Sequence, residues 1–252
     1  MIKKMTEATV RENLKSVWQR IEKASKERPA EFQDVTPRLL AVSKTKPVED
    51  IIEVYNAGQR HFGENYVQEL VDKATNPEIL EKCKEIRWHF IGHLQNNKIN
   101  KILPLPNLYI IETVDSEKLA SKLNQSWPNF RNSDSKLNVM IQINTSGEEE
   151  KNGIKPDEVT NLADFVLNQC PNLRLDGLMT IGMFGYDLSN GPNPDFICLK
   201  KCRDEVCEKF KLDWKDLNLS MGMSNDFEHA IAMGSTNVRV GTTIFGVRQK
   251  KN

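Results

Sequence analysis

The stretch "LLAVSKTKP", residues 39–47, runs from apolar residues into a lysine and breaks at Pro47. On an extended strand Leu40, Val42 and Lys44 share one face. Partial desolvation at the end of such a run lowers an ammonium pKa and makes the neutral amine accessible. An amine of this kind suits Schiff-base chemistry with an aldehyde. The plain alternative is a solvated lysine at a strand end. The five cysteines, at 83, 170, 198, 202 and 207, offer less. Their odd number and the lack of a CxxC spacing argue against a disulfide framework or a zinc site, and free cysteine packs as a small hydrophobe.

Two loops near the C-terminus carry anion-binding residue types. "LSMGMSND" supplies Ser220, Gly222 and Ser224, and "VRVGTTIFG" supplies Gly241, Thr242 and Thr243. Glycine lets backbone N–H groups approach an anion, and hydroxyls add donors. Ser224 is also a good N-cap for a following helix. Either loop could instead be no more than a tight turn. Arg239 alternates with Val238 and Val240; if the valines face outward, the guanidinium points into the fold, where it needs a partner. That partner is either a ligand's ring nitrogen or a carboxylate such as Glu64 or Glu112.

These residues need a scaffold that brings them together, and the chain's periodicity predicts one. Residues 6–27 read as an amphipathic helix, with Val10, Leu14, Val17, Trp18 and Ile21 on one face. After the linker "KERPAEFQDVTP" come eight short apolar runs: "RLLAVS", "RHFG", "IRWHFIG", "NLYIIETV", "LNVMIQIN", "LRLDGLMTI", "LNLSMG" and "VRVG". Helical patterns at 47–58, 64–75, 95–103, 115–126, 156–169, 194–211 and 225–234 alternate with them. Alternation of this kind implies a parallel sheet of βαβ units, and eight units predict a (β/α)8 TIM barrel over about 38–248. With an extra N-terminal helix in residues 1–30, the whole chain, 1–252, reads as a single domain. Polar or glycine-rich clusters follow each strand, where barrels of this type build active sites. Loops seven and eight form that fold's usual phosphate site, and strand one closes beside them. Lys44 would then lie beside the cradle. An aldehyde-bearing phosphate next to an amine points to pyridoxal phosphate.

Composition sets outer limits. Lys plus Arg and Asp plus Glu both number 35, which leaves no electrostatic footprint for nucleic acid or an anionic membrane. No apolar run reaches the ~18 residues of a membrane span. "MIKKMTEATVREN" lacks the apolar core of a secretory signal and contains acidic residues that transit peptides avoid. The cytoplasm is the expected compartment, with a mitochondrial pool left open.

"LLAVSKTKP", "FGENYVQE", "WHFIGHLQNNK", "GLMTIG", "LSMGMSNDFEHAI" and "VRVGTTIFG" together resemble the pyridoxal phosphate homeostasis proteins, which are similar to the barrel domain of bacterial alanine racemase. The motifs span about residues 39–248. The resemblance implies a fold-type III barrel in which Lys44 carries pyridoxal 5'-phosphate as a Schiff base. It also implies that Asn65, Ser220, Met221, Ser224, Arg239, Gly241 and Thr242 line the site. The serines, Gly241 and Thr242 would hold the phosphate, and Arg239 would face the ring nitrogen. His93 departs from the proline or glycine expected after "FIG". His89 reads as barrel interior.

The same resemblance implies a carrier that limits free pyridoxal phosphate and supplies apo-enzymes. Racemisation on this cofactor needs a base on each face of the ring. In alanine racemases a tyrosine of a partner subunit supplies the second base, a contact that depends on a C-terminal β-domain. After the eighth unit only "FGVRQKKN" remains, and a monomer is expected. Of the four tyrosines only Tyr66 reads as near the mouth, with packing in a helix's first turn as its alternative. An arginine at the pyridine nitrogen leaves that nitrogen unprotonated and the ring a weaker electron sink. Two rival readings stay open: a racemase or lyase acting on a small amino acid, and a sugar-phosphate barrel without pyridoxal. Lys46 is a further candidate to take the aldehyde transiently.

Overall fold

A computed structural model describes residues 7–132 and 134–247. The outer limits of the expected single domain and the last position of the expected barrel span lie outside the described residues. Eight parallel strands close into a barrel in chain order. They are β1 (Arg38–Val42), β2 (His61–Glu64), β3 (Arg87–Phe90), β4 (Leu108–Val114), β5 (Leu137–Gln142), β6 (Leu173–Met179), β7 (Asn218–Met223) and β8 (Asn237–Val240). Closure runs through β8 and β1, with Leu40 opposite Arg239 and Ala41 opposite Val240.

The helices are α1 (Glu7–Glu27), α2 (Val48–Asn56), α3 (Val67–Ala74), α4 (Pro77–Lys82), α5 (Ile99–Ile102), α6 (Glu117–Ser126), α7 (Val159–Gln169), α8 (Pro194–Phe210), α9 (Phe227–Ala232) and α10 (Thr242–Phe245). All eight predicted strands are present. Two helices are additions. The helix expected over 64–75 stops at Ala74; Asn76 then caps α4, its side chain accepting the Glu78 and Ile79 N–H groups, with Pro77 in the first turn. One turn, α10, directly follows β8, and a single turn leaves no periodicity to read in the sequence.

Strand alternation sorts side chains into two layers. Outward residues such as Phe62, Trp88, Phe90, Met221, Val238 and Val240 join one core between barrel and helices. Val10, Leu14, Val17 and Ile21 bury the predicted face of α1 in the same core. Each such buried side chain is worth about 1.5–3 kcal/mol. Inside the barrel lie Leu40, Val42 and Ile91 in one cluster and Ile110, Met140 and Met179 in another. The five cysteines are free. Burial raises the Cys83 thiol to about 11 and the Cys202 thiol to about 12, as structural thiols require. Among the described residues no group of His, Cys, Asp and Glu side chains is arranged to hold a metal, and no helix is long and apolar enough to cross a membrane.

Candidate functional site

Lys44 sits just past the end of β1, half-buried, at a cavity of 260 Å³ in the C-terminal mouth of the barrel. The backbone on either side of it is pinned. Ser43 Oγ donates to Glu64 Oε1 at 2.6 Å, and the Ser43 carbonyl accepts from Lys73 Nζ at 2.7 Å. On the other side, the Thr45 N–H donates to Glu69 Oε1 at 2.5 Å. Lys73 also bonds Glu64 Oε1 at 2.8 Å and Glu69 Oε1 at 2.7 Å. One buried ammonium therefore ties α3 to both neighbours of Lys44. The anchoring matters because Thr45 holds φ 64°, a left-handed conformation disfavoured for a side chain branched at Cβ. Burial raises the Glu64 carboxyl above its ordinary range, opposed by Lys73 and Ser43.

Across the cavity from this anchor, the turn after β8 closes on Ser224. Its Oγ accepts from the Gly241 N–H at 3.2 Å and the Thr243 N–H at 3.4 Å. Asp226 fixes the preceding turn, its Oδ1 accepting from the Met223 N–H at 2.6 Å. Gly222 holds φ 91° there, and a Cβ would come within 2.4 Å of the Ala230 Cβ, so only glycine fits. Val42, Ile91, Met179, Ile181 and Met223 supply an apolar wall. Asn65 shares the cavity, and its buried Oδ1 has no hydrogen-bond partner in the protein.

Arg239 closes the floor. It is buried, with Nη2 donating to the Thr180 carbonyl at 2.7 Å and Nη1 to Ser220 Oγ at 2.9 Å. Ser220 in turn donates to Glu112 Oε2 at 2.6 Å. Glu112 Oε1 lies 2.5 Å from His89 Nδ1, and His89 Nε2 lies 2.8 Å from His61 Nδ1. This polar file runs down the barrel axis from the cavity toward the strand starts. His89 is thus an interior packing and bridging residue, as its alternation predicts. Its pKa is lowered by complete burial, which outweighs Glu112; Glu112 is held below its ordinary range by His89, Arg239 and Ser220 against its own burial.

Of the residues expected to line the site, the structure gathers Lys44, Asn65, Ser224, Arg239, Gly241 and Thr242 around one cavity. It does not bring Ser220 or Met221 there. The Ser220 hydroxyl is committed to Glu112 beneath the floor, and Met221, the next residue along β7, turns outward into the helix-facing core. Neither carboxylate offered as an alternative partner bonds Arg239 directly: Glu112 is reached through Ser220, and Glu64 faces α3 with Lys73. Tyr66 precedes α3 and is largely exposed. His93 sits in a loop 3.5 Å from Asp115. The Lys46 ammonium donates to the carbonyls of Phe245 and Gly246 at 2.8 and 3.0 Å, away from the cavity lining. The Lys73 cluster was not singled out from sequence. Its one signal is the Glu69–Lys73 spacing of four on a helix, which normally marks a solvated pair.

Fold and site together define a (β/α)8 barrel whose mouth sets a lysine amine beside a glycine- and hydroxyl-rich loop. The family model for the alanine racemase N-terminal domain matches residues 12–249. The chain is 55% identical over 235 residues to the pyridoxal phosphate homeostasis protein of Homo sapiens, covering 93% of this chain and 85% of that one. In structure it is similar to PipY of Synechococcus elongatus PCC7942 with PLP bound, at TM-score 0.71 and 30% identity over 90% of this chain and 99% of that one. It also shares the fold of alanine racemase from Corynebacterium glutamicum, at TM-score 0.64 and 14% identity over 96% of this chain and 61% of that one. The chain belongs to the alanine racemase N-terminal-domain family and, within it, to the pyridoxal phosphate homeostasis proteins.

Proposed function

We propose that the protein holds pyridoxal 5'-phosphate at Lys44 and acts in its homeostasis, keeping the free aldehyde low and supplying apo-enzymes that need it. The observation that carries this reading is the gathering of Lys44, Arg239 and the Ser224–Gly241–Thr242 turn around one cavity. Its volume of 260 Å³ is near the lower end of the ~300–1,000 Å³ usual for small-ligand sites. Asn65 fits a polar ligand as well, since its side-chain amide lines the cavity and its buried oxygen has no partner in the protein. When bound, the cofactor supplies an electrophilic aldehyde carbon and an acidic phosphate tail.

The residues divide the work. Lys44 presents its amine from a backbone that Ser43 and Thr45 hold still. Ser224, Gly241 and Thr242 take the phosphate. Arg239, its two outer nitrogens fixed by Ser220 and Thr180, faces the ring nitrogen as a donor that gives up no proton. The apolar wall of Val42, Ile91, Met179 and Met223 limits water at the aldehyde.

A non-catalytic role is the reading that the titratable groups support. Among the described residues that line the cavity these are Lys44, Asp226 and Arg239, and the Asp226 carboxylate is engaged by the Met223 N–H. Racemisation needs a second base opposite the lysine, and the one carboxylate among these is already tied to the turn before α9. Incubating the loaded protein with single amino-acid enantiomers in deuterated water tests this. Exchange of the α-proton no faster than with free pyridoxal phosphate is expected; exchange at enzymatic rates would make the protein a racemase or lyase.

A further inference from the structure

A second cleft, of 840 Å³, opens at the other end of the barrel, between α1 and the strand starts. Three arginines on consecutive strand starts line it: Arg38 opens β1, Arg60 precedes β2 and Arg87 opens β3. Arg38 and Arg87 both stand 5.5 Å from the centroid of the Tyr109 ring, which holds their guanidinium planes. Arg60 stacks on Tyr55 at 4.1 Å.

The carboxylates nearby leave this charge incompletely met. Arg38 Nη1 is buried without a hydrogen-bond partner; Asp176 Oδ2 is 3.9 Å away. Arg60 is the best satisfied of the three: it faces the largely exposed Glu85 at 3.4 Å and donates to the carbonyls of Tyr55 and Gln59 at 2.9 and 3.0 Å. Arg87 has its Nη1 3.4 Å from His61 Nε2 and no ion pair among the described residues. Glu22 and Lys26 also line the cleft and are paired with each other at 2.6 Å. A guanidinium whose nearest carboxylate stands 3.9 Å off can take a further oxyanion through the part of it that lines the cleft. Guanidinium forks favour a phosphate, which takes two parallel hydrogen bonds from each. Trp18 and Ile21 of α1 provide an apolar side for an organic group on that phosphate.

We propose that this basal cleft is a second binding site, for a phosphate or phosphate monoester, held by Arg38 and Arg87 and separate from the cavity at Lys44. It does not depend on what Lys44 binds.

Equilibrium dialysis against radiolabelled inorganic phosphate, at ionic strength fixed with chloride, tests it in the wild type, Arg87→Gln, Arg38→Gln and Ser224→Ala. Arg87 is exposed, so its variant tests the site without disturbing the core. Ser224→Ala weakens phosphate binding in the upper cavity only. The expected result is that Ser224→Ala keeps a bound phosphate that Arg87→Gln and Arg38→Gln each weaken about tenfold or more. No binding by the wild type beyond the chloride control would overturn the proposal. So would binding abolished by Ser224→Ala and untouched by the two arginine variants, which would place all the phosphate beside Lys44.

Discussion

Replacing Lys73 with methionine keeps most of the apolar stem and removes the ammonium that joins α3 to the backbone around Lys44. Three hydrogen bonds go with it: to the Ser43 carbonyl, to Glu64 and to Glu69. The loss falls in a buried setting, since Lys73 is 5% exposed and Glu64 0%. Removing one partner of a buried ion pair costs about 3–5 kcal/mol, because the other charge is left uncompensated. For a chain of this size that corresponds to a fall in the thermal midpoint of roughly 6–20 °C. The deficit has a pH signature. Glu64 already has a raised pKa through burial, with Lys73 opposing the rise. Without Lys73 the carboxyl rises further, and between the unfolded value of 4.5 and that raised value the folded variant binds a proton that the unfolded chain does not. Lowering the pH therefore stabilises the variant relative to the wild type, and the gap narrows. Urea or thermal unfolding of both proteins at about pH 8 and pH 5.5 reads this out. Uptake of pyridoxal phosphate, followed by visible absorbance, is expected to weaken as well, because Ser43 and Thr45 lose their anchors while Lys44 is untouched. A deficit under about 1 kcal/mol, or one equal at both pH values, would refute the argument that this ion cluster holds the loop.

Gly92→Ala is expected to destabilise by about 1–3 kcal/mol and to displace Asn65, because the added Cβ would meet the Asn65 carbonyl oxygen at 1.8 Å; an unchanged thermal midpoint would contradict that contact. His61 is held neutral, its pKa pushed down to about 2 by burial and then by His89, Arg38 and Arg87. Its ring resonances are expected to stay flat between about pH 5 and 8, and a midpoint inside that range would contradict the axial file as drawn. Since the unfolded histidine takes up its proton near 6.5, stability tied to His61 is complete above that pH and drains away as pH falls from 6.5 toward 2.

The barrel was legible because each strand is a short apolar run punctuated by glycine, proline or a polar cluster, and even "RHFG" and "VRVG" appear as β2 and β8. Strand parity put Lys44 on one face with Leu40 and Val42 and pointed Arg239 inward, but left each a plainer alternative; both line the cavity. Ser220 and Met221, expected beside them, are absent from its lining. A motif names adjacent residues, but parity sends one hydroxyl inward to Glu112 and the next side chain outward. The Lys73 cluster was hidden for a different reason. A lysine on an amphipathic helix looks solvated until Glu64, on β2, is known to lie beneath it. The file from His61 to Arg239 joins five separate strands, so only closure of the barrel reveals it.

The central claim is that the amine at position 44 takes up pyridoxal phosphate. Borohydride reduction of the loaded protein, followed by peptide mass spectrometry, tests it most directly. The expected result is a cofactor-sized mass increment on the peptide containing Lys44, absent from Lys44→Ala. An increment found only on another lysine, or equal incorporation in Lys44→Ala, would contradict the account.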